Sequence, residues 1–380
     1  MADIESNNRS GQNDGANGWL TGLLALGITV GAAALTNAFI FYKTPPLTTK
    51  LTGGETRYFP TPDGDVFYKK AGSGPPLLLV HGIGAGCSSY EWLQVWDALT
   101  EKHTVYALDL LGFGKSDKPQ MAYTAEKYVT LLDGFCRKVI KVGAGRGECD
   151  VIATSLSAAY VIALSGTDPS LFRRLVLICP TGIEELAKPP SDRAEIGRSV
   201  LSTPVVGTSL YNAITSKAGI RNYMTTRLFA SPATATSEMV DEYHTAAHQP
   251  GGENALPSFL SGMLNIRIAD EWKKVIDLPL IVWGSGAVES PIVHAEAFVT
   301  SNPAAKLEVI EDAGMLPHVE QPEAFLAAVR PFLAAHDGDA PYVPEHALLE
   351  PADPGFGIAD TLAGEFGEET ESVGADAVPA

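Results

Sequence analysis

At 380 residues the chain is long enough for one large or two medium domains, and 45% hydrophobic against 19% charged residues allows a substantial core. A formal net charge of −18 excludes nucleic acid as a partner, because phosphate binding needs clustered Lys and Arg. The charge is uneven: residues 337–380 hold eleven Asp or Glu and no Lys or Arg, so the remainder carries only about −7. Cys87, Cys136, Cys149 and Cys179 form no C-x-x-C pair and read as free thiols in a domain too large to need staples.

In chain order, residues 1–18 are polar and rich in Asn, Gly and Ser, the composition of a disordered N-terminus. Residues 19–42 carry no charge, and a helix of some twenty apolar residues matches the hydrocarbon thickness of a bilayer. Trp19 and Tyr42 suit the two interfaces. Asp3, Glu5 and Asp14 outnumber Arg9 ahead of this run, the opposite of a signal peptide, so an uncleaved single-pass membrane anchor is predicted. Lys43, Lys50 and Arg57 place the following domain on the cytoplasmic side by the positive-inside rule. Residues 43–56 read as a linker, 57–336 as one domain, and 337–380 as an acidic disordered tail, solvated or docking a basic partner.

Within that domain, strands are expected at 57–59, 66–70, 77–80, 104–108, 151–153, 175–178, 280–283 and 306–310. Helices are expected at 125–142, 157–165 and 322–335. Continuous apolar strands alternating with helices mean an α/β fold with a mostly parallel, doubly wound sheet. Between about 182 and 276 the alternation stops, and a mainly helical cap is expected above the sheet.

Val151-Ile152-Ala153-Thr154-Ser155-Leu156-Ser157-Ala158 turns from strand to helix with small residues around Ser155. Earlier, His81-Gly82-Ile83-Gly84-Ala85-Gly86 follows a buried strand; its glycine spacing is wrong for a dinucleotide fingerprint. Then come Ser88-Ser89-Tyr90-Glu91-Trp92 and Asp109-Leu110-Leu111-Gly112-Phe113-Gly114-Lys115-Ser116-Asp117. In this order and spacing the segments resemble the α/β-hydrolase-fold family, its serine-nucleophile branch, with a stretch similar to the SSYxW of haloalkane dehalogenases. The resemblance implies that Ser155 sits on the nucleophile elbow, with Ala153 and Ser157 in place of its glycines. It also implies oxyanion donors at the amides of Ile83 and Leu156, and a structural role for His81. A nucleophilic Asp, as in dehalogenases and epoxide hydrolases, is excluded by Ser155.

The family pattern breaks at two places. Its acid follows the strand 280–283 in W-G-x-x-D, where this chain reads Trp283-Gly284-Ser285-Gly286-Ala287. Its base lies in G-H-x-P-x-x-E, where this chain reads Gly314-Met315-Leu316-Pro317-His318-Val319-Glu320. Ala287 and Met315 therefore hold the acid and base positions. A serine nucleophile needs a base and an acid to orient it. The candidate replacements are His318 as displaced base with Glu289, or Glu184, as acid; the alternative is that His318 packs locally.

Two functions stand open at this level. One is a membrane-anchored serine hydrolase of a hydrophobic ester or acyl substrate, with Ser155, His318 and Glu289 catalytic. The other is a non-catalytic relative that binds a lipid-like ligand or serves as a subunit of a membrane complex. No cofactor or metal is implied. His244 and His248, four apart, read as a solvent-facing pair or, less simply, as metal ligands. Tyr211, Tyr223, Met224, Phe229, Phe259 and Met263 of the cap either line a greasy pocket or pack the core.

Overall fold

The computed structural model describes residues 14–142, 149–275 and 279–334, with side chains from residue 27 onward. The predicted N-terminal disorder up to residue 13 and the acidic tail lie outside the described residues. The chain divides into two units, Met1–Leu333 and Ala334–Ala380, and all described elements belong to the first apart from the last residue of the final helix.

Eight strands form one sheet in the order β1-β2-β4-β3-β5-β6-β7-β8. They are β1 Glu55–Thr61, β2 Gly64–Ala71, β3 Pro76–Val80, β4 Thr104–Leu108, β5 Cys149–Thr154, β6 Phe172–Ile178, β7 Leu280–Gly284 and β8 Lys306–Ile310. All eight overlap the strands expected from the sequence. β2 runs antiparallel to β1 and β4, and every other pair is parallel. β5 is buried along its whole length, as are Leu77 to Val80 in β3, which explains why these strands read as unbroken apolar runs. The chain order reverses beside β3 and β5, and the loops at their carboxyl ends, where open α/β sheets bind ligands, hold the candidate site.

The helix expected at 125–142 runs as an α-helix only over Ala125–Phe135. It widens into a π-turn, Cys136–Ile140, and stops at Lys141 in the left-handed conformation. Thr124 caps its start by accepting the Lys127 amide. The elbow helix, Leu156–Thr167, is buried nearly all round. Its Tyr160 ring stacks on Tyr128 at 5.5 Å, joining it to the preceding helix.

An N-terminal helix spans Asp14–Lys43, starting five residues before the predicted anchor. Among the described residues no helix is long and apolar enough to cross a membrane. The predicted anchor, residues 19–42, lies partly outside them, because the side chains of its first eight residues are not described. In the described part, residues 33, 34, 37, 40, 41 and 44 form the more covered stripe, while Ile28, Val30, Leu35, Phe39 and Tyr42 are exposed. The stripe docks on the cap: Asn37 Nδ2 donates to Val205 O (3.2 Å) and Ser209 Oγ (3.0 Å), and Asn212 Nδ2 donates to Asn37 Oδ1 (2.9 Å).

The expected linker is pinned down. Leu47 and Leu51 are buried, Leu47 N–H donates to Gln249 Oε1, Lys115 Nζ donates to Leu47 O, and the Trp96 indole donates to Thr52 O. The cap is helical as predicted, with helices Ala194–Leu201, Val206–Ile214, Lys217–Tyr223, Ser237–Ala247 and Leu256–Leu260.

Candidate active site

Ser155 stands between β5 and the elbow helix at φ 53°, ψ −123°. A side chain with a Cβ enters this region only at a cost, which the surrounding structure must over-determine. Three contacts do so. Ser155 N–H donates to Ile178 O at 2.8 Å, Ala158 N–H donates to Ser155 O, and Ser157 Oγ donates to His81 O at 2.7 Å. The Ser157 hydroxyl, standing where the family carries glycine, thus ties the elbow to the end of β3. Ser155 is partly exposed, and its Oγ makes no hydrogen bond with any described residue.

Ile83 lies on the loop after β3, and its N–H donates to no described residue. Leu156 is the first residue of its helix, where an amide has no acceptor four residues back. Both predicted oxyanion donors are therefore on the elements that flank Ser155. His81 is structural: Nδ1 bonds Gly82 O at 2.7 Å, so Nε2 accepts the Leu110 amide at 3.0 Å. The Asp109–Asp117 loop is also built on local bonds. The Asp109 carboxylate accepts the amides of Ser89 and Lys115, Ser116 Oγ accepts the Phe67 amide, and Asp117 accepts that of Asp65. A Cβ on Gly114 would collide with the Asp109 carboxylate, which is why that position is glycine.

Met315 and Ala287 are both buried at the base and acid positions. Their loops are packed together: Gly286 N–H donates to Ala313 O, and a Cβ on Gly284 would strike Gly314 O. Met315 N–H donates to Leu228 O of the cap at 2.9 Å.

Among the described residues, none of the sequence-level candidates for a replacement base and acid makes a hydrogen bond to the Ser155 hydroxyl. His318 is fully buried and makes no hydrogen bond to the Ser155 hydroxyl. Its Nε2 lies 3.3 Å from Glu91 Oε1, its ring stacks on Trp92 at 4.6 Å, and Phe325 lies 5.5 Å away. The displacement has a simple cause: His318 is on the short helix Pro317–Glu320, after the loop that carries Met315, and this helix turns it into the core. Glu289 is exposed and faces Arg227 at 3.7 Å. Glu184 is exposed and lies 3.8 Å from His294, whose other ring nitrogen faces Glu185 at 3.1 Å.

Glu91 is the residue that sequence reasoning missed. It accepts from Thr154 Oγ1 at 2.6 Å and from Gly82 N–H at 3.0 Å, so one carboxylate joins His318, β5 and the oxyanion loop. Burial raises a carboxylic acid's pKa, but the His318 imidazole beside it, with His81 and the Thr154 hydroxyl, holds Glu91 below its ordinary value. The available signal was an acid inside the aromatic run Tyr90-Glu91-Trp92. Glu320 was quoted only as motif: it accepts the amides of Ala230, Ser231 and Gly314, latching the cap to the Met315 loop.

A cavity of about 10 Å³, room for roughly one water, lies beside the oxyanion loop. Ile83, Gly84, Cys87, Phe113, Tyr211 and Phe259 are among its walls. Of the cap residues expected to line a pocket, Tyr211 and Phe259 do so, Met224 and Phe229 are buried, and Tyr223 is exposed. Cys87 is partly exposed, yet burial of its sulfur and the nearby Glu91 push the thiol well up, against nucleophilic use. His244 and His248 are not a solvent-facing pair, because His248 is buried. Its Nδ1 bonds His244 O at 2.8 Å and its Nε2 meets Thr215 Oγ1 at 3.2 Å, leaving neither nitrogen for a metal. Among the described residues no group of three or more His, Cys, Asp or Glu is placed to hold a metal.

The fold and the elbow agree with the comparisons with known proteins. The model of the "Alpha/beta hydrolase family" matches residues 77–328, and the chain belongs to that family. An uncharacterized protein of Mycobacterium tuberculosis is 27% identical over 281 residues, covering 70% of this chain and 77% of its own. The 2-hydroxy-6-oxo-6-(2'-aminophenyl)hexa-2,4-dienoic acid hydrolase of Metapseudomonas resinovorans is 34% identical over 117 residues, 30% of this chain and 39% of its own. Among solved structures, a serine hydrolase involved in carbazole degradation superposes with a TM-score of 0.60 at 21% identity, over 74% of this chain and 99% of its own. A bacterial membrane phospholipase A superposes with a TM-score of 0.57 at 22% identity, over 83% and 98%.

Proposed function

We propose that this protein is a membrane-anchored member of the α/β-hydrolase family that binds a hydrophobic ester or acyl compound at the Ser155 cradle without hydrolysing it. The observation that carries this reading is the placement of His318, which is buried with Nε2 3.3 Å from Glu91 Oε1 while Met315 and Ala287 stand at the base and acid positions. A general base must come within about 2.6–3.2 Å of the proton it removes, and no imidazole among the described residues bonds the Ser155 hydroxyl. The donors at Ile83 and Leu156 remain suited to a carbonyl oxygen, and Tyr211 and Phe259 supply apolar wall. Membrane attachment rests on the uncharged run 19–42.

Hydrolysis is the second reading, favoured by the strained backbone at Ser155, the hallmark of a seryl nucleophile on this fold, and by the hydrolases among the relatives. A fluorophosphonate probe and p-nitrophenyl octanoate separate the two. The expected result is no labelling above that of Ser155→Ala and no turnover. Saturable binding of a fatty-acyl methyl ester should be lost in Ser155→Tyr, which fills the cradle. Labelling of Ser155 with steady turnover reverses the order of the readings.

A further inference from the structure

The cap presents exposed apolar side chains on two adjoining helices, with no cover among the described residues. On the helix Ala194–Leu201, Ile196 and Val200 are 65% and 59% exposed. On the helix Val206–Ile214, the exposures of Val206, Leu210 and Ile214 are 69%, 46% and 43%. Each set recurs every four residues, so each lies on one side of its helix. Leu260 of the helix Leu256–Leu260 is exposed as well. Contiguous exposed apolar surface of this kind marks an interaction site. The turn between the first two helices is held in strain: Val205, a β-branched residue, sits at φ 69°. Its carbonyl accepts from Asn37. The charges of Glu195 and Arg198 on the first helix are paired with each other.

We propose that this face is a seat on the lipid bilayer, and that the cleft behind it admits an acyl chain from the membrane toward the Ser155 cradle. The inference rests on the membrane attachment in the proposed function. The bilayer is chosen over a protein partner because the uncharged N-terminal run packs on the same cap helix, along the side next to this face. Its helix docks through Asn37 onto Val206–Ile214 itself. From Trp19 to Asn37 the helix rises about 27 Å, close to the hydrocarbon thickness of about 30 Å. A span that begins at Trp19 therefore brings Asn37, and with it the cap helix, to the far interface of the bilayer. The cleft is lined by Leu201, Leu210, Ile214, Leu256 and Leu260. Glu253 also lines it, and burial raises that carboxyl, favouring its uncharged form. Tyr211 and Leu256 belong to both this cleft and the cavity at Ile83, so the two are separated by one layer of side chains. Each holds only about 10 Å³, and an acyl chain passes as the cap helices part.

The test uses the full chain in phosphatidylcholine vesicles whose lipid carries a photoreactive diazirine in the acyl chain, with labelled peptides mapped by mass spectrometry. Label is expected on the N-terminal helix, on residues 196–214 and on 256–260. In the double variant Val206→Asp, Leu210→Asp, two solvent-facing positions, cap labelling should fall about tenfold or more while helix labelling persists, since a buried acid costs more than one tenfold step. Label on the helix alone overturns the seat and leaves the anchor standing. Label on neither overturns both. Label on 196–214 but absent from 256–260 overturns the entry path, and cap labelling unchanged by the two aspartates overturns the seat.

Discussion

Ser155 keeps a backbone conformation that costs about 1–3 kcal/mol in a residue with a side chain, while buried Met315 and Ala287 stand at the positions where the family pattern has its base and acid. The departure from the family pattern is confined to two side chains on adjoining loops, Met315 and Ala287, and the loops pack against each other and the cap. Restoring both, as Met315→His with Ala287→Asp, should create fluorophosphonate reactivity at Ser155 that neither single change produces, by 10²-fold or more on the scale of general-base catalysis, roughly. Rate of probe incorporation is the measurement, and equal reactivity in the wild type and the double variant would remove the base-loss argument. His318 belongs to a different problem. As half of a buried pair with Glu91, it should make His318→Ala cost about 3–5 kcal/mol in stability, the usual penalty for leaving one buried charge unpaired. A denaturation midpoint reads that loss directly, and a shift under 1 kcal/mol, roughly the worth of an exposed pair, would show that the pair is not a structural anchor. Glu91→Gln should be destabilising as well, because the amide cannot replace the charge facing His318.

The elements were legible in the sequence to different degrees, and the reason is the range over which each signal acts. The central strands were readable because burial on both faces writes itself into consecutive residues such as Leu77 to Val80, and the edge strands β1 and β2 because the turn Thr61-Pro62-Asp63-Gly64 separates them. The elbow was readable because small residues must cluster where strand turns into helix. The Glu91–His318 pair was not, since 227 positions separate its members and only the fold brings them together. The three-residue displacement already offered local packing of His318 as an alternative, but not its neighbour Glu91. The docking of the N-terminal helix on the cap was equally hidden, because Asn37 looks like a lone polar residue in an apolar run. It is instead the group that joins two elements, with three hydrogen bonds to Val205, Ser209 and Asn212. Asn37→Leu should therefore cost about 1–3 kcal/mol, the penalty for stranding buried polar partners, even though leucine suits the helix better. Hydrogen exchange in the cap helix Val206–Ile214 should rise in that variant and remain unchanged in β5; no local change would mean the helix is not held there.

Across the whole molecule, the two histidines of the cap junction and Glu91 are all held below their ordinary values. At the junction of cap and N-terminal helix, His244 is pushed down to about 4, first by burial and then by its neighbours His248 and Lys217, and burial lowers His248 too. Phe41 packs against the His248 ring at 5.4 Å, so the neutral imidazole is part of the contact. A histidine whose folded value is depressed binds its proton more readily in the unfolded chain. Its contribution to stability is thus complete above the ordinary value of 6.5 and is lost as the pH falls through about 4. Glu91, depressed below its ordinary 4.5, follows the same rule in a lower window: its contribution is complete above 4.5 and disappears only as the pH drops through the folded value. Acidification should therefore act in two stages, loosening the cap junction between pH 6.5 and 4 and the Glu91 core below 4.5. Melting temperature followed against pH should fall in the first window for the wild type and fall less in His244→Asn, with both proteins sharing the second decline. A first decline of equal size in His244→Asn would leave His244 without a role in the acid response, whereas the second decline alone would still report on Glu91.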